Sequence, residues 1–230
     1  MAIAFDAATE SGNKGAVSSF TFSHTCTGSD RGLLVHVGAY DNAARTVTSV
    51  TYNSVSLTQI SRVTGPTTGS WTEIWKLANP ASGSNTVSVT LSGAAAYNVF
   101  GAAQSFTGVD QTTSTMTSGG KTAAGNSSSQ SATVTGTTAN NWIVDALTSF
   151  FGWAQSVGSG QTARYNTYYT GANYNNMCGS TEVSGGGDVV MSWTSTGAHE
   201  WALIGVELVV ASAGPTGPPK NTLLLGGVGI

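Results

Sequence analysis

The feature that most constrains this chain is a period of two. Short runs of alternating apolar and polar residues recur along it, each broken within a few positions by Gly, Asn or Ser. Such alternation sends every second side chain to one face of an extended strand, which leaves one face buried and the other wetted. Residues 17–25 alternate through Phe20 and Phe22, and 33–40 (LLVHVGAY) read as a buried strand. In 71–77, Trp71, Glu73, Trp75 and Leu77 share one face while Thr72, Ile74 and Lys76 share the other. Runs at 46–52 and 55–60 flank Asn53-Ser54, a pair suited to a tight hairpin because Asn tolerates positive φ. Further runs at 86–91, 97–106, 132–135, 142–151, 163–169, 189–194 and 201–210 complete about a dozen strands. No segment carries the 3.6-residue period of an amphipathic helix. The pattern predicts an all-β chain, an antiparallel β-sandwich of jelly-roll-like form.

The two halves resemble each other. Leu33, Val35 and Val37 match Trp142, Val144 and Ala146, while Val87, Val89, Tyr97, Val99 and Gly101 match Met191, Trp193, Trp201, Leu203 and Gly205 at a constant offset of 104. Two accounts are open: strands look alike generically, or the halves form a pseudo-two-fold pair. On either account residues 112–129, rich in Gly and Ser with almost no large side chains, read as a polar surface connection within one sandwich domain, 1–210. Each half alone is expected to have too few strands to close a sandwich.

Past Val210 the character changes. Residues 211–220 hold three of the five prolines and read as an extended linker. The end that follows, NTLLLGGVGI, is apolar through Leu223, Leu224, Leu225, Val228 and Ile230. With about 30 Å of reach at roughly 3.1 Å per residue, it is expected to act as an arm docking on a neighbour. Folding back and disorder are the alternatives.

Composition sets the surface. Charged residues make up 8% of the chain, against about 25% in ordinary globular proteins. Apolar residues reach 40% and aromatics 9%, enough for a sizeable core, so the surface must consist mostly of hydroxyl and amide groups. A surface of that kind suits close packing against other proteins. The eight Lys and Arg residues are scattered singly and the net charge is −3, so no basic groove for nucleic acid can be read. No run of about 18 apolar residues exists to span a membrane, and the first residues do not form a signal peptide. The expectation is a protein made and used without the general secretory route, with a lost leader as the alternative. Cys26 and Cys178 stand far apart and read as two isolated core thiols, with a disulfide the less favoured alternative.

No constellation points to catalysis. His24, His36 and His199 are the only histidines, and His36 sits mid-strand as a hydrogen-bonded buried residue would. His199-Glu200 has no second His at helical spacing, and no Gly-x-Ser-x-Gly elbow is present. Gly158, Gly160 and Ala163 formally fit a dinucleotide pattern but lack its βαβ context. The acidic residues are dispersed. Asp145, within the apolar WIVDAL, reads as a buried hydrogen-bonded group. No enzyme, cofactor or metal is expected. The candidate binding surface is aromatic: Trp153, Tyr165, Tyr168, Tyr169 and Tyr174, following Phe150 and Phe151, amid Asn, Thr and Gly. Three uses are open for these rings: core packing, a protein interface, or a glycan platform.

The order of the pieces GLLVHVGAYDN, TVTSVTYNSVSLTQI, WTEIWKLANPASGSNTVSVTLSG, AAQSFTGVDQTT, NNWIVDALTS and HEWALIGVELV resembles a widespread group of poorly characterised β-sandwich modules. These modules occur in phage virion proteins and bacterial surface proteins. The resemblance covers roughly residues 30–210, most specifically Trp75 through Thr113, and PPKNTLLLGGVGI is similar to the ends of some phage structural proteins. It implies a jelly-roll-like sandwich with a structural or adhesive role and supplies no catalytic residues. The expectation is a virion component, a capsid decoration (cement) or fibre-type subunit. Such a subunit would oligomerise with itself and contact a major capsid or other virion protein. The alternative is a carbohydrate-binding or adhesin module at the cell surface.

Overall fold

The computed structural model describes residues 2–42, 45–67, 69–95 and 97–212. The expected C-terminal arm, with Leu223, Leu224, Leu225, Val228 and Ile230, lies outside the described residues. Fifteen strands run through the described residues. The first half holds β1 (Ala4–Glu10), β2 (Ser19–Cys26), β3 (Gly32–Tyr40), β4 (Val47–Tyr52), β5 (Val55–Ser56), β6 (Thr58–Thr64), β7 (Ser70–Ala78), β8 (Gly83–Leu91) and β9 (Asn98–Thr107). The second holds β10 (Thr117–Thr137), β11 (Trp142–Ser149), β12 (Ser156–Val157), β13 (Thr162–Tyr169), β14 (Asn175–Val183) and β15 (Gly187–Leu208). Every pairing is antiparallel, and the chain is an all-β, jelly-roll-like sandwich fold.

The first half closes its own sandwich. One sheet has the order β1-β9-β3-β7-β6 and the other β2-β8-β4-β5. Between them lies a core of Leu33, Val35, Val37 and Ala39 from β3, Trp71 and Trp75 from β7, and Val87 and Val89 from β8. Tyr52 and Phe20 also contribute. The Asn53-Ser54 hairpin forms as expected, with φ of 49° and 64°, the double left-handed turn that matches strand twist.

The second half repeats this plan with fewer, longer strands. Its sheet has the order β10-β15-β11-β14-β13, with β12 attached to β15. The β10–β15 ribbon turns a corner partway along. Ser127 pairs with His199 but Ser129 pairs with Thr194, so residues 195–198 loop out of the ladder. Past the corner the ribbon lies over the outer face of its own sheet. Val134, Val189 and Met191 of the folded-over part pack on Ile143 of β11, and Ala132 and Trp193 cluster with Leu147, Cys178 and Leu203. Hydroxyls and glycines at the corner let the extended backbone bend without burying a large side chain in the wrong layer.

The larger sheet of the first half stacks on the sheet of the second. The seam is lined by Leu34, Ile74 and Phe106 from the first half and by Val144, Ala146, Ile204, Val206 and Leu208 from the second. Alternation on β7 therefore serves two cores, since Trp71 and Trp75 face one and Ile74 the other.

Three expectations need correction. Residues 112–129 are not a surface connection from end to end, because β10 begins at Thr117. Its backbone ladder with β15 satisfies every second amide whatever the side chains are, so small hydroxyl residues suffice for a strand. Each half also packs its own core, contrary to the expectation that one half has too few strands. Finally, Leu33, Val35 and Val37 do not correspond to Trp142, Val144 and Ala146. Val37 pairs with Gly101 and Asp145 with Gly205; with Gly101 and Gly205 equivalent, Val37 takes the place of Asp145. The proposed match slipped by one residue, which in a strand exchanges the two faces. β14 was not expected at all. Both its faces are buried, and Asn175, Asn176, Ser180 and Thr181 erase its alternation.

Candidate functional site

Both large sheets end at the same rim. Tyr40 closes β3 and pairs with Ser70 and Asn98, while Ser149 closes β11 and pairs with Asn176 and Trp201. Strand ends carry side chains beyond the last ladder bonds, where rings are free to meet one another. Seven do so in an unbroken series. Tyr97 stacks on Tyr40 at 5.3 Å, Tyr40 on Phe150 at 4.5 Å, and Phe150 lies 5.9 Å from Tyr174. Tyr174 is 5.9 Å from Trp153, Trp153 is 5.5 Å from Phe151, and Phe151 is 4.4 Å from His199. These spacings are those of favourable aromatic pairs.

The series is graded in exposure. Phe151 is buried, whereas Trp153 is 55% and Tyr174 42% exposed. Amides hold the frame around them. Asn176 Nδ2 donates to the Trp153 carbonyl at 3.0 Å, Asn98 Nδ2 donates to the Asn173 carbonyl, and Asn42 Nδ2 donates to the Tyr97 hydroxyl at 3.2 Å. Glu200 accepts from the amides of Gly69 at 3.1 Å and Ser70 at 3.0 Å and from the Thr67 hydroxyl, tying the β6–β7 loop of the first half to β15. Burial pushes the pKa of His199 down, so its ring is neutral near pH 7. The rim can stack on flat surfaces and exchange amide hydrogen bonds.

The structure divides the five expected residues. Trp153 and Tyr174 join the rim series. Tyr168 and Tyr169 lie on the edge strand β13, opposite Asn176 and Asn175, and are exposed by 47% and 37%. Tyr165 is buried, so the expectation that it serves a ligand surface is corrected. Its hydroxyl lies 2.8 Å from His36 Nδ1 in the seam. Tyr40, Tyr97 and His199 were missed as rim members, because they come from three separate segments that only the sheet stacking assembles. The one local signal was an aromatic at the end of an apolar strand.

The other singled-out groups have structural partners. Asp145 is fully buried; Oδ1 accepts the Ser180 amide at 2.6 Å and Oδ2 the Trp193 indole at 2.8 Å. Burial pushes its pKa up to about 7 against these hydrogen bonds. Cys26 and Cys178 are free, buried thiols in different cores. Among the described residues, no group of three His, Cys, Asp or Glu side chains could hold a metal ion.

Comparison of the chain with protein-family models, curated proteins and solved structures finds no match.

Proposed function

We propose that this chain is a non-enzymatic structural protein of a phage particle, a capsid decoration (cement) or fibre-type subunit. It works by lying against its own copies and a major capsid or other virion protein. The observation that carries this reading is the rim, where rings from both halves gather and Trp153 and Tyr174 are exposed. Contiguous exposed aromatics mark contact surfaces in soluble proteins, because leaving them in water forgoes burial free energy. The resemblance to virion and surface modules supports it, as does the hydroxyl-clad outer face of β10. Association would stabilise both partners by mass action. The test is co-sedimentation of the purified protein with capsids lacking it, alongside its native mass over a concentration series. Binding lost in Trp153→Ala with Tyr174→Ala supports the reading; a strict monomer that ignores capsids overturns it.

A second reading, an adhesin or carbohydrate-binding module, is favoured by the amides that frame Trp153 and Tyr174. Aromatic faces stack on sugar rings while amides bond their hydroxyls. Glycan-array binding abolished by Trp153→Ala, or by Tyr168→Ala and Tyr169→Ala on the neighbouring edge, would select it over the first.

A further inference from the structure

Far from the aromatic rim, β7 carries a lysine where its strand pattern calls for an apolar residue. Lys76 follows Thr72 and Ile74 on the face that packs against the second half, and it is only 8% exposed. Its Nζ donates to Thr117 Oγ1 at 2.9 Å, the one hydrogen bond it makes among the described residues. The only ion pair among them joins Arg62 and Glu73. Asp110 and Glu207, carboxylates on adjoining segments, are engaged elsewhere. Asp110 caps the following turn through the Thr112 amide and the Thr115 hydroxyl. Glu207 accepts from Ser118, Thr138 and Asn141. A lysine so largely withdrawn from water, with no carboxylate in ion-pair contact among the described residues, costs stability. Burial lowers its pKa accordingly.

The lysine lines an open cleft of about 670 Å³ between β6, β7 and the start of β10. That volume falls within the range of small-molecule sites, about 300–1,000 Å³. Hydroxyls and an amide project from its walls, Thr58 and Gln59 on one side and Thr112, Thr113, Ser114 and Thr117 on the other, on a lining whose surface is mostly apolar. Thr58 lies directly across the ladder from Lys76, so hydroxyl and ammonium open on one space. Ile60 contributes to that apolar surface.

We propose that this cleft binds a small molecule bearing one carboxylate and several hydroxyls, an acidic monosaccharide in chemical class. One buried ammonium matches one carboxylate, and the ring of hydroxyls matches neutral hydroxyls of the ligand. A phosphate dianion would call for more cationic or N–H donors than the cleft offers. The site is separate from the aromatic rim and does not depend on what the rim binds.

The test is an NMR titration of the full chain with sodium glucuronate, with glucose and inorganic phosphate as parallel probes. Glucuronate should give saturable shifts at residues 58–60, 76 and 112–117, with glucose at least tenfold weaker. Lys76→Met, which keeps the buried stem, should weaken glucuronate at least tenfold while the melting temperature shows the fold intact. Should that variant fail to fold, Thr117→Val gives a second reading and should weaken binding severalfold. No saturable shift at millimolar glucuronate, equal binding of glucose, binding of phosphate in its place, or full binding by Lys76→Met would each overturn the proposal.

Discussion

The His36 ring and the Tyr165 hydroxyl meet at 2.8 Å across the seam between the two halves, a contact that joins positions 129 residues apart. The other ring nitrogen of His36 lies 3.2 Å from Thr148 Oγ1. Much of the surrounding seam is apolar, so this small network is a point where a misaligned stack would leave polar atoms unpaired. Burial holds the His36 pKa down at about 3, so the ring is neutral in the folded protein.

Removing the hydroxyl partner should therefore be costly. Tyr165→Phe leaves His36 Nδ1 without its bond and is expected to destabilise the fold by about 1–3 kcal/mol. Equilibrium urea unfolding measures this; an unchanged midpoint would show that the contact contributes nothing.

His36 also sets an acid limb. The unfolded ring protonates below its ordinary value of 6.5, whereas the folded ring resists down to about 3. Stability from this group is complete above pH 6.5 and is lost progressively as pH falls toward 3. His24, held near 4 by burial, acts in the same direction. Unfolding free energies measured from pH 6.5 to 4 should fall less steeply in His36→Gln, by about 1.4 kcal/mol per pH unit.

Asp145 has the opposite sign. Its folded pKa of about 7 lies above the ordinary 3.8, so the folded state keeps a proton that the unfolded state releases. Its contribution is present below pH 3.8 and is lost as pH rises through 7. Asp145→Asn should gain on the parent protein by about 1.4 kcal/mol per pH unit between those values. Thermal melts of both proteins from pH 4 to 8 test this, and parallel curves would refute it.

Gly101 on β9 and Gly205 on β15 occupy corresponding places, opposite Val37 of β3 and Asp145 of β11. A Cβ at Gly101 would come within 2.9 Å of the Phe20 and Phe22 rings, and one at Gly205 within 2.8 Å of Val134 Cγ2. Either glycine changed to Ala should cost about 1–3 kcal/mol through overpacking of its own half. Calorimetry on the two single variants checks the equivalence.

The rim should separate binding from stability. Trp153→Ala, at an exposed ring, is expected to shift stability by no more than about 0.5 kcal/mol, yet to impair capsid or glycan binding. Phe151→Ala, at the buried neighbour, should instead cost about 3–5 kcal/mol. Chemical denaturation and binding assays on both variants separate the two roles.

What the sequence determined by itself was the strand character of the chain and the facing of its best strands. Alternation through Trp71, Trp75 and Ile74 told which side chains share a side, because a strand's period of two follows from backbone geometry alone. The Asn53-Ser54 turn was legible because Asn tolerates positive φ, and Trp153 and Tyr174 were legible as candidate surface rings from their amide and glycine neighbours. Only the tertiary structure decided what each face meets. That the first part of β10 and all of β14 are strands depends on ladders with β15 and β11, which small or amide side chains do not announce. That Tyr165 belongs to the seam, that Tyr40 and Tyr97 join a rim with Phe150, and that Lys76 lines a cleft all depend on how two sheets stack. Stacking is set by long-range fit between surfaces, which no local pattern encodes.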